Sequence, residues 1–109
     1  MSKKYFKLDK DLPFINDEKD IVTLFERCHQ AGVNRVLIKE NEMNPQFTDL
    51  STGFAGAVIQ KFQIYRVELA FVIQNKAGKS IYFNQMTKDK NLLTRFFTSE
   101  VEAIKWLER

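Results

Sequence analysis

The chain has 109 residues but only one cysteine and one histidine. A lone cysteine, Cys28, makes no internal disulfide, and without a Cys/His cluster there is no zinc-ligand spacing. That usage fits a reducing compartment. Long apolar runs are also missing. The longest, Leu69 to Ile73, is far short of the ~20 residues a membrane helix needs. The opening MSKKYFKLDKDLPF carries lysines but no apolar stretch of signal-peptide length. A cytoplasmic location without membrane contact is therefore expected, with the first four residues disordered. Charge of one sign is scarce as well. Seventeen basic residues face 14 acidic ones, a net +3, too small and too interspersed to point to nucleic acid. No repeat, low-complexity tract or Pro/Gly-rich linker divides the chain, so a single domain is expected, of the usual ~100–200 residues.

What is present is apolar material: 44% hydrophobic residues and ten phenylalanines. A chain of roughly this length buries over half of its unfolded surface, so a core needs neither metal nor disulfide. Two short apolar pieces, YFKL and LPFI, lie between Tyr5 and Ile15, and Pro13 confines either to an edge. Asn16 or Asp17 opens a helix whose stripe is Ile21, Leu24, Phe25 and Cys28, with Gly32 placed to end it. Val33 to Lys39 reads as a strand. Arg66 to Gln74 reads as the central strand, apolar on both faces and so covered by helices on both. SIYFNQMTKDKN (80–91) reads as a weaker helix and LLTRFFT as a strand. The terminal helix starts at Ser99, which is spaced from Glu102 as in a capping box. Its apolar stripe is Val101, Ile104 and Leu107, with Trp106 beside it. The alternation predicts an α/β fold, a small mixed, mostly parallel sheet of about four strands with about four helices.

The candidate site is the turn DLSTGFAG, which opens a helix at Asp49 to Gly56. Three readings compete for it. Asp49, Ser51 or Thr52 caps the helix, while Gly53 and Gly56 allow close packing. Alternatively, exposed N–H groups hold an anion or small ligand. The third reading is a contact surface switched by phosphate on Ser51 or Thr52. Elsewhere, Cys28 and His29 are neighbours on a helix and do not face each other. Cys28 belongs to the apolar stripe, and Glu40 and Glu42 have no placed partner for acid–base work. No acid–base–nucleophile group can be assembled, so neither an enzyme nor a cofactor is expected.

The stretch FTDLSTGFAGAVIQKFQIYRVELAFV (47–72) resembles the signature of a bacterial family of uncharacterised domains, domain of unknown function 4180. VNRVLIKENEMNPQFTDL and SIYFNQMTKDKNLLTRFFTSEVEAIKWL resemble its flanking segments. The chain departs from the family pattern at Ala57, where glutamate is common, and at Ser51, usually basic. It departs again at Gln74 and Asn75, which stand for Gly-Asp. Thr52 follows the pattern. The resemblance implies a fold similar to the anti-sigma-factor antagonist (SpoIIAA, or STAS) domains, in which a Ser-rich turn opening a helix carries a phosphorylation switch. It implies a regulatory, non-enzymatic module meeting a protein partner, with a homodimer one option. The contact or switch turn is then Asp49, Ser51, Thr52, Gly53, Phe54 and Gly56. Tyr65 and Arg66, in the shared phrase YRV, form a structural tie or the edge of the site.

Overall fold

A computed structural model describes residues 4–49, 52–73 and 93–109. The elements are β1 (Phe6–Lys7), α1 (Glu18–Ala31), β2 (Arg35–Lys39), α2 (Phe54–Ile64), β3 (Glu68–Val72), β4 (Thr94–Phe97) and α3 (Glu100–Leu107). Two 3-10 turns, Glu40–Glu42 and Pro45–Thr48, lie between β2 and α2. The helix expected at 80–91 lies outside the described residues.

The strands pair in the order β1-β2-β3-β4, every pair parallel. The expected mixed sheet is therefore wholly parallel among the described residues. A helix returns the chain between β1 and β2, and again between β2 and β3, and such crossovers produce parallel neighbours. The sheet advances in one direction, and crossovers share one hand, so α1 and α2 fall on the same face. Val36, Ile38, Leu69, Phe71 and Phe96 point into that layer. Leu37, Ala70 and Val72 point the other way, against Ala103 and Leu107 of α3. Both faces of β3 are thus buried, as its unbroken apolar run predicts.

Helix ends follow local chemistry. Asp17 caps α1: its carboxylate accepts from the Lys19 and Asp20 N–H groups, and Asp20 Oδ2 accepts from the Asp17 N–H. The box expected at α3 is half formed. Ser99 Oγ accepts from the Glu102 N–H at 3.4 Å, while the Glu102 carboxylate pairs with Lys105 at 3.7 Å. The α3 stripe is also displaced from the sequence reading. Ala103 and Leu107 are buried and Val101 is exposed, because Trp106 packs against Phe97 with ring centroids 5.9 Å apart. Near the start of the chain, Lys4 Nζ donates to the Glu108 carbonyl at 3.3 Å.

Charged groups tie the end of α3 to the sheet. Glu68 holds Arg35 Nε at 2.9 Å and Arg109 Nη2 at 2.6 Å, and Arg35 Nη1 donates to the Leu107 carbonyl at 2.7 Å. Cations beside the last carbonyls suit the negative end of the helix dipole.

Candidate functional site

The residues singled out from the sequence fall at opposite ends of α2. Thr52 to Gly56 lie at its start and Tyr65–Arg66 at its finish, and the helix from Phe54 to Ile64 is 11 residues long. At ~1.5 Å per residue that is about 16 Å, so the two groups do not form one site.

The turn is built inward. Asn44 Oδ1 accepts from the Gln46 N–H at 2.9 Å and caps the 3-10 turn, whose first residue is Pro45. The Asn44 Nδ2 group donates to the Asn16 carbonyl at 2.9 Å. Ile15 and Met43 bridge in parallel, binding the loop after β1 to the loop after β2. Phe47 anchors the segment in the core, its ring 4.5 Å from Phe71 and 6.4 Å from Phe54. The N-cap of α2 is Gly53, at φ 74° and without a side chain to cap with, and the expected side-chain bond to a free N–H of the first turn comes from Thr52, which precedes it. A left-handed N-cap suits glycine, which carries no Cβ penalty. Thr52, one residue earlier, is exposed but fully engaged. Its Oγ1 accepts from the Phe54 N–H at 3.2 Å and faces the Asp49 carbonyl at 2.9 Å and the Gln46 carbonyl at 3.1 Å. Gly56 does not mediate close packing. It is exposed, and a Cβ built there meets nothing within 4 Å. Ser51 lies outside the described residues.

The other end of α2 is open. Tyr65 stacks on Phe25 with centroids 4.8 Å apart, and Phe25 meets Phe62 edge-on at 4.9 Å. Val22, Phe25, Glu26, His29, Gln30 and Tyr65 line a groove of about 620 Å³ between the two helices. Val22 is 44% exposed, Tyr65 58% and the adjoining Ile64 65%. Arg66 adopts φ 57°, the sole positive φ outside glycine among the described residues. The Arg66 N–H donates to the Gln63 carbonyl and the Val67 N–H to that of Phe62, which completes a Schellman turn. The sequence reading found Tyr65 and Arg66 but missed Val22 and Glu26. Their signal was present: Val22 is an apolar residue off the Ile21–Leu24–Phe25–Cys28 stripe.

The remaining chemistry is quiet. Cys28 is buried, and burial pushes its thiol up to about 11, so at neutral pH it is not a nucleophile. Glu42 Oε1 accepts from the Lys39 N–H at 2.9 Å. Among the described residues no group of three or more His, Cys, Asp or Glu could hold a metal ion, and no helix is long and apolar enough to cross a membrane.

No curated protein and no solved structure matches the chain. A family model matches residues 1–107, and its description is Domain of unknown function (DUF4180). With nearly the whole length matched, the chain belongs to that family.

Proposed function

We propose that this chain is a non-enzymatic regulatory module of SpoIIAA/STAS-like type, acting through protein contacts in a bacterial cytoplasm without cofactor, nucleic acid or membrane. The observation that carries the reading is the groove beside Tyr65. Exposed apolar side chains from two helices converge there, Val22 from α1 and Tyr65 from the end of α2. Converging exposed apolar groups mark contact surfaces more often than scattered ones do. The four-stranded sheet with helices on both faces supports the fold analogy, and a buried, protonated Cys28 supports the absence of thiol chemistry. The turn at Thr52 then serves as scaffold, since its hydroxyl is spent on the backbone around it.

The test is photo-crosslinking in cells, with a reactive amino acid placed at Tyr65 or at Thr52. Protein adducts at position 65 that disappear with Val22→Lys are expected. Adducts at position 52 alone would move the contact face to the turn. No protein adduct at either position would overturn the reading.

A further inference from the structure

We infer that the partner seated in the Val22–Tyr65 groove is a second copy of this chain, related by a two-fold axis; this rests on the protein-contact reading above. The charges around the groove favour it. Two ionic groups on the same helices are paired within the chain, Glu18 with Lys61 at 3.5 Å and Arg27 with Asp9 at 3.7 Å, whereas Lys19 and the lining His29 make no ion pair among the described residues. Glu26 and Arg66 are likewise unpaired. Neither makes an ion pair or a side-chain hydrogen bond among the described residues. They also come from different elements. Glu26 belongs to the α1 wall, and Arg66 directly follows Tyr65, which forms the other wall. A surface with an unpaired acid on one wall and an unpaired base beside the other is complementary to itself. An isologous two-fold contact sets each residue of one copy against the same patch of the other. Glu26 then meets Arg66 of the second copy twice, once on each side of the axis.

The apolar centre fits the same arrangement. Val22 and the outer face of Tyr65 lie exposed over a buried Phe25 floor, so two copies laid together cover them mutually. The backbone of Arg66 adds a further observation. The residue sits in the left-handed conformation that glycine adopts most easily, and its guanidinium has no intrachain use among the described residues. An arginine at such a position without a partner in its own chain is accounted for by a partner in another.

Sedimentation velocity of the whole chain over a wide concentration range tests this. The wild type should show a concentration-dependent dimer. Glu26→Arg and Arg66→Glu should each weaken it by about tenfold or more, and the double swap should recover most of the loss, because close interfacial charge pairs couple at that scale or above. Val22→Lys should yield monomer. Circular dichroism melting of each variant separates lost association from lost fold. A wild type that stays monomeric into the high-micromolar range overturns the inference, and so does a double swap that fails to recover. If self-association fails while crosslinks from position 65 reach a different protein, the dimer is wrong and the protein-contact reading stands. If both fail, so does that reading.

Discussion

Two corners of this molecule turn a helix into a strand with the same hydrogen bonds. At the end of α1 the Gly32 N–H donates to the His29 carbonyl and the Val33 N–H to that of Cys28; at the end of α2, Arg66 and Val67 do the same to Gln63 and Phe62. Both corners place one residue in the left-handed region, Gly32 at φ 72° and Arg66 at φ 57°. A Cβ costs about 1–2 kcal/mol there, and only the first corner avoids that cost. The first corner is pure chain-turning, with open space around the glycine. The second carries the same turn on a less suitable residue, beside Tyr65, which is 58% exposed. Backbone outliers that the surroundings hold in place gather at sites of use, and this one adjoins the groove proposed above as the contact face.

The largest way to separate the corners is to cut what anchors them. Phe62 is fully buried and packs edge-on against Phe25, so Phe62→Ala should cost about 3–5 kcal/mol. Cys28→Ala at the first corner should cost about 1–2 kcal/mol. Urea titration of both variants checks the ratio, and equal losses would show the corners to be equally anchored. The first corner also titrates. The Cys28 thiol is raised from 9.0 to about 11 by burial, so the folded chain keeps a proton that the unfolded chain releases. That contribution is complete below pH 9 and is lost as pH rises through 11. The stability gap between wild type and Cys28→Ala should narrow over that window, and no such narrowing should occur for Phe62→Ala.

Next in size is the ionic tie that follows the second corner. Glu68, two residues after Arg66, holds Arg35 and Arg109 with its side chain 16% exposed. Glu68→Gln should cost about 1–3 kcal/mol, the scale of hydrogen bonds to charged groups, discounted toward the lower end because Arg109 is 45% exposed. Chemical denaturation at low and high salt checks it, since a surface ion pair would fade with salt and a partly buried one would persist.

The two corners also show what the sequence can carry. Gly32 is legible as a helix end because glycine at the close of an amphipathic stripe has one common use. Asp17, the central strand and the edge position of Phe6–Lys7 are legible for similar local reasons. Arg66 is not: nothing in the type of an arginine announces φ 57°, and the turn there follows from the burial of Val67 and Phe62 around it. Gly53 and Gly56 misled in the opposite direction. Two glycines three apart suggest a close approach, yet one is a left-handed cap and the other faces open space. Val101 was drawn into a helical stripe by its spacing, but the pull of Trp106 toward Phe97 rotates α3 away from it. The groove itself was illegible because its walls come from residues 43 positions apart, Val22 and Tyr65, and only the pairing of α1 with α2 brings them together.

The smallest effects bear most directly on the comparison. Gly32→Ala should destabilise by about 1–2 kcal/mol, from backbone strain alone, since the added Cβ meets nothing within 4 Å. Arg66→Gly reverses the logic: relief of the same strain is offset by the greater freedom of glycine in the unfolded chain, leaving a change between zero and a gain of about 1 kcal/mol. Thermal melts of the two variants should therefore shift in opposite directions, or Arg66→Gly should not shift at all. Should Arg66→Gly instead lose stability at dilutions where the wild type is monomeric, so that no dimer contributes to the melt, the guanidinium would have a folding role within its own chain and the case for an intermolecular one would fall. Should it gain stability and lose self-association together, the arginine is held at the second corner for contact, against the preference of the turn it occupies.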